Sequence, residues 1–248
     1  MNRSARWLQC SPVPVRPRVR LFCLPHAGGG ASAFHSWQTA LSAQVQVCPI
    51  QLPGRETRFS EPPYAELDSL VGAIAQELRP WLDIPYAVFG HSMGALLAFE
   101  WTRSLQQEGY SMPARLFLSG RRAPDIQDDA GPLHTLPDHE FVEELNCRYQ
   151  GMPQEFLQNP ELMEVFLPIL RADIAVVESY QFKEGAPLNC PMTVSAGIGD
   201  ASTSYDQLLA WARHTRAGFT AQLFPGGDFY PEGPLLGSIS ASLTTMGF

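Results

Sequence analysis

The sequence has no Cys-x-x-Cys pair, no long apolar run and no concentration of basic residues, and each absence removes a class of function. Its five cysteines (Cys10, Cys23, Cys48, Cys147 and Cys190) are odd in number and widely spaced. Neither a disulfide framework nor a zinc or other metal site is expected from them, and a reducing cytoplasm is the natural setting. The first twenty residues, MNRSARWLQCSPVPVRPRVR, carry positive charge. Only the four-residue LFCL follows them, too short for a signal-peptide core or a membrane span. Their prolines predict a flexible arm over residues 1–20. The formal net charge is −8 and the arginines are scattered. Phosphate neutralisation needs a concentrated basic surface, so nucleic acid is not an expected partner, and neither is a membrane. No internal repeat or low-complexity tract is present.

What is there is the material for one large core. The 248 residues are 45% hydrophobic and 17% charged, which suits a single globular domain over residues 21–248. Short strand-like runs (VRLFCLP, VQVCPIQLPG, YAVFG, RLFLSG, MTVSAGIGD, FTAQLFPGG) alternate with helical stretches. The helix predicted over ELDSLVGAIAQELRPWL carries an apolar stripe of Leu67, Leu70, Val71, Ile74 and Leu78. That alternation predicts an α/β fold with a mostly parallel central sheet and crossover helices. It stops between about residues 128 and 185, where the sequence reads as helical, with Pro137-Asp138 and Asn159-Pro160 as helix starts. An insertion there would lie over the strand tips as a helical lid.

Gly90-His91-Ser92-Met93-Gly94 fits G-x-S-x-G with a strand before it and a helix after it. Small residues on either side allow a sharp turn that exposes the Ser92 hydroxyl, and the Met93 N–H then points where an oxyanion forms. The glycine-rich LPHAGGGASAF supplies a second backbone donor, the N–H of Ala27, with His26 orienting the loop. It lacks the lysine of a P-loop and the register of a dinucleotide fingerprint. Asp200 ends a late strand, where an acid that orients an imidazole would stand; Asp206 is the weaker rival, reading as a helix cap.

The phrases LFCLPHAGGGASAFHSW, QLPGRETRFSEPP, VFGHSMGALLAFE, LFLSGRRAP, LPILRADIAVVESY and LFPGGDFYP together resemble the type II (editing) thioesterases of polyketide and non-ribosomal peptide assembly lines, a branch of the α/β-hydrolases. The resemblance covers nearly the whole chain after residue 20. It implies an α/β-hydrolase fold, a triad of Ser92, Asp200 and position 228, and an oxyanion hole of the Ala27 and Met93 N–H groups. It also implies an acyl substrate held on the phosphopantetheine of an acyl or peptidyl carrier domain, and no diffusible cofactor. The chain is expected to act as a monomer. The family carries histidine in a GGHFF-like phrase at the end, and here Gly226-Gly227-Asp228-Phe229-Tyr230 puts an aspartate in its place.

A carboxyl with an unperturbed pKa of about 3.9 against about 6.5 for imidazole accepts a serine proton less readily. Asp228 would also face Asp200, and like charges in one pocket raise one apparent pKa. Loss of a triad histidine costs about 10⁶ in turnover, so slow hydrolysis is expected. His26, His35, His91, His134, His139 and His214 are the possible substitutes, none well placed by sequence. Two other readings stay open: Asp228 as the base of an epimerase, isomerase or cyclase acting on a carrier-bound thioester, or a non-catalytic carrier-binding protein. The stripe in FLPILRADIAVVESY suits an acyl chain or plain core, and Arg121 and Arg122 suit an acidic carrier surface or a solvated turn.

Overall fold

The computed structural model describes residues 6–13, 15–126, 131–149, 159–230 and 232–248. Six strands form one sheet: β1 (Val19–Leu24), β2 (Val45–Pro49), β3 (Tyr86–His91), β4 (Leu116–Ser119), β5 (Met192–Gly197) and β6 (Phe219–Phe224). Their order is β2-β1-β3-β4-β5-β6, and every pair is parallel. This is the parallel α/β sheet expected from the alternating runs, and it agrees with the α/β-hydrolase fold that the resemblance implies.

A parallel sheet is covered on both faces, so its inner strands β1, β3, β4 and β5 are buried along nearly their whole length rather than on alternate residues. Phe22 and Leu24 of β1 face one side with Val88, Leu116, Leu118 and Val194. Against them pack helix α2 (Leu67–Leu78) and helix α3 (Met93–Gln107). Leu21 and Cys23 face the other side with Val47, Phe89 and Phe117. The segment AFHSWQTALSA, expected as one helix, forms a 3-10 turn (Ala31–Phe34) and the four-residue α1 (Trp37–Ala40). It offers this second face only Phe34, Trp37 and Leu41, enough to dock single turns but not a continuous stripe. Strand order reverses between β1 and β3, which opens a crevice at their carboxyl ends, the usual place for a ligand in open α/β sheets.

The segment expected as a lid contains helix α4 (Asp138–Tyr149) and helix α5 (Pro160–Glu178). Residues 127–130 and 150–158 of it lie outside the described residues. Asn159 caps α5, its side chain accepting from the N–H groups of Glu161 and Leu162 at 3.1 and 3.2 Å. A small cluster of Leu133, Phe141, Leu145 and Ile174 holds the two helices together. Helix α6 (Tyr205–Leu209) follows β5, and helix α7 (Glu232–Thr245) closes the second face with Leu235, Leu236, Ile239 and Leu243.

The N-terminal expectation needs correction. Trp7 and Leu8 are buried, Leu8 pairs antiparallel with Ile50, and the N–H groups of Gln9 and Ser11 donate to Pro49 and Val47 at 3.0 and 2.9 Å. Residues 7–11 therefore cover the β2 edge, where unpaired backbone groups demand a partner. Cys10 and Cys48 meet there as a disulfide; the wide spacing of the cysteines gave no sign of it because the pairing follows from how the arm docks.

Candidate active site

Ser92 sits at the turn between β3 and α3 with φ 54° and ψ −113°, a conformation L-residues seldom adopt. The glycines make the turn possible. A Cβ on Gly90 would fall 2.0 Å from the Gly94 carbonyl oxygen, and one on Gly94 would fall 2.2 Å from that of Leu24. The Ser92 N–H donates to Ser119 O at 2.8 Å, which fixes the serine against β4. Met93 opens α3, so its N–H is one of the unpaired donors of a helix N-terminus.

The loop after β1 brings Ala27 to the same place. His26 Nδ1–H donates to the Ala27 carbonyl at 2.8 Å, in keeping with a loop-orienting role. Among the described residues no acceptor takes the N–H of Ala27 or Met93, so both remain available to a substrate oxygen. The loop has a second and stronger anchor. Asp173 of α5 accepts from Gly28 N–H at 2.7 Å and pairs with both arms of Arg55 at 2.6 and 2.7 Å. Arg55 also donates to Gly29 O at 3.0 Å. Both side chains are almost fully buried, at 4% and 1% exposure.

The acid side lies beyond β5 and β6. The N–H groups of Ile198 and Gly199 donate to Phe224 O and Gly226 O, each at 2.8 Å. These bonds sew the Asp200 loop to the Asp228 loop. Asp200 Oδ1 accepts from Ser202 N, Ser202 Oγ and Thr203 N at 2.7, 2.8 and 2.9 Å. Its Oδ2 is buried with no donor among the described residues. Asp228 lies within hydrogen-bonding reach of Asp200; partial burial and that neighbouring carboxyl raise its pKa to about 7. Asp206 is exposed in the first turn of α6 and outside the site. The cap there is Ser204, in a reciprocal pair with Gln207.

These groups open on one cavity of about 410 Å³. Ser92, Ala27, His26, His91, Asp228 and Phe229 form its polar end; Leu145 and Tyr149 of α4 and Phe166, Leu170, Ile174 and Val177 of α5 form the apolar remainder. The stripe in α5 thus faces the cavity at helical spacing. Arg121 lines the cavity wall, so it belongs to the site and not to an outer turn.

Residues 19–242 match the family model described as the thioesterase domain. The chain belongs to that family. It is 42% identical over 230 residues to gramicidin S biosynthesis protein GrsT of Aneurinibacillus migulanus, covering 93% of this chain and 90% of that one. It is 37% identical over 228 residues to thioesterase PikA5 of Streptomyces venezuelae, covering 92% and 80%. Among solved structures, ClbQ from the colibactin NRPS/PKS pathway is similar with a TM-score of 0.87 at 32% identity, over 93% of this chain and 98% of that one. The type II thioesterase BorB from the borrelidin biosynthetic cluster gives 0.85 at 34% identity, over 96% of each.

In this thioesterase only two of the six histidines, His26 and His91, line the cavity. His91 Nδ1 is hydrogen-bonded to Ser119 Oγ at 2.7 Å, and burial, aided by the charge of His26, lowers its pKa to about 3. Burial lowers His26 as well. His214 is packed against Phe99, Phe182 and Trp211 and bonded to Asp125, and His134 is bonded to Glu178. None replaces a triad imidazole. Ser119 continues into a chain with the Tyr230 hydroxyl, which bonds Ser195 Oγ at 2.8 Å. The Arg55–Asp173 pair went unread in the sequence. Its one available signal is an aspartate inside the apolar stripe of α5, which demands a buried cation because an unpaired charge there is too costly.

Proposed function

We propose that the protein hydrolyses acyl or peptidyl thioesters presented on the phosphopantetheine arm of a carrier domain in polyketide or non-ribosomal peptide biosynthesis. The observation that carries this reading is Ser92 at a strained strand-to-helix turn, at the polar end of an apolar cavity of about 410 Å³. Such a cavity suits an acyl chain whose thioester carbonyl rests beside the serine. Ser92 Oγ attacks that carbonyl, and the N–H groups of Ala27 and Met93 hold the oxygen as charge develops on it. Water then releases the acyl group. Helices α4 and α5 act as the lid, and the N–H of Gly28, held by Asp173, keeps the oxyanion loop in place. The reaction needs no metal or diffusible cofactor. The enzyme works as a cytoplasmic monomer on its carrier partner.

Asp228 stands where the family resemblance places the catalytic histidine, so turnover is slow. The test is intact-protein mass and thiol release after mixing with acetyl- and hexanoyl-pantetheine. An acyl adduct that disappears in Ser92→Ala supports a serine hydrolase. Unchanged mass and no thiol release, both with these probes and with the cognate acyl carrier, would leave a binding protein instead.

A further inference from the structure

The acid side of the cavity does not balance until a proton is placed on it. Asp200 Oδ1 already takes three hydrogens from Ser202 and Thr203, while Oδ2 is buried without a donor among the described residues. The side chain that meets the Asp200 carboxyl from the neighbouring loop is that of Asp228. Two ionised carboxylates offer each other only lone pairs. A buried acceptor left in that state is destabilising, the more so when it is charged. One proton on Asp228 supplies the missing donor and removes the repulsion. The pair cannot relax by drifting apart, because the two backbone bonds from Ile198 and Gly199 tie the loops together behind it.

We propose that Asp200 and Asp228 form a carboxyl pair that holds one proton, and that Asp228 is the acid–base group of this active site. The inference rests on Ser92 being the thioesterase nucleophile. Acylation starts from the ionised pair: the Ser92 Oγ–H bond breaks as Oγ bonds to the thioester carbon, the proton goes to Asp228, where the pair holds it, and passes to the thiol sulfur as the C–S bond breaks. In deacylation Asp228 takes a proton from water as its oxygen bonds to the acyl carbon, and returns it to Ser92 Oγ as that ester bond breaks. The products are a free acid and a free thiol.

The surroundings suit this role. Partial burial and Asp200 push Asp228 up into the range where imidazole works, against a smaller opposing pull from the Ala201 backbone N–H. The other titratable or charged groups at this end are Tyr230, His26, His91 and Arg121. Burial raises Tyr230 and lowers both histidines, so those three are neutral at pH 7, and the site's proton traffic falls to the carboxyl pair.

The experiment is the pH dependence of kcat/KM for hexanoyl-pantetheine hydrolysis, with folding of each variant checked by thermal melting. The parent should show Ser92-dependent hydrolysis that rises through one ionisation near pH 7 and levels off above it. Asp228→Asn, which keeps the shape, should lose about 10²–10⁴ of that rate and the ionisation with it. Asp200→Asn keeps an oxygen for Ser202 and Thr203 but removes the charge, so the midpoint should move down by more than one pH unit. A profile that survives Asp228→Asn, or a midpoint unmoved by Asp200→Asn, would overturn the acid–base role while leaving the thioesterase reading intact. Hydrolysis as fast in Ser92→Ala as in the parent would overturn both.

Discussion

The two halves of the active site are built from different materials. On the side of β1 and β3, position is set by backbone: glycines that let chains touch, a serine in a strained conformation and two N–H groups at a turn and a helix start. On the side of β5 and β6, position is set by side chains, with one carboxyl held by three donors and a second brought against it. The backbone half tolerates no change of residue type at Gly90 or Gly94. The side-chain half keeps its geometry when its chemistry changes, because the bonds that align its loops come from Ile198 and Gly199 and not from the acids. A proton carrier can therefore be exchanged at position 228 without disturbing the nucleophile.

The sharpest way to test that independence is Asp228→His. An imidazole there finds the vacant Asp200 Oδ2 as its acceptor, and turnover of acyl-pantetheine should rise by about 10²–10⁴. That is the roughly 10⁶ carried by a triad histidine less what the carboxyl pair already provides. Steady-state kinetics checks it, and no gain would mean that the two halves are out of register.

Breaking the anchor of the backbone half should cost nearly as much in stability. Arg55→Met leaves Asp173 buried without its cation, an expected loss of about 3–5 kcal/mol in denaturant unfolding. Removing the Asn159 cap is a smaller perturbation of the same helix. Asn159→Ala should cost about 1 kcal/mol by the same measurement.

The acid half should show itself through pH. Asp228 has a folded pKa raised above its unfolded value, so the folded protein binds the extra proton between about pH 4 and pH 7. Stability contributed by that proton is lost as pH rises through this window. Asp228→Asn should therefore stabilise the protein at pH 8 and not at pH 4. Solvent screening of this half-exposed group reduces the gain to about 1 kcal/mol, a Tm rise of about 2–4 °C.

The backbone half was legible in the sequence because its constraints fall on consecutive residues. G-x-S-x-G and the glycine run after β1 state their own geometry, and the strand runs state the sheet. The acid half was legible as a facing pair of carboxyls with one raised pKa, whereas the three donors that fill Asp200 Oδ1 and the buried Oδ2 left without one depend on how the loop after β5 folds. Arg55 with Asp173, and Cys10 with Cys48, are far apart in sequence and became visible only in the folded chain. The helix expected after the first strand does not form as one, because the three buried apolar residues of that segment anchor turns rather than a helix.

The Arg55–Asp173 pair also decides how this molecule can admit a bulky guest. One carboxylate holds both α5 and Gly28, so withdrawing α5 would strand a buried cation and release the loop that carries Ala27. At about 3–5 kcal/mol, such a state holds no more than about 1% of the population. The turn of α5 that carries Asp173 is thus a hinge post and not the door. Widening of the entrance falls to α4, leaving the catalytic backbone undisturbed while the guest threads in.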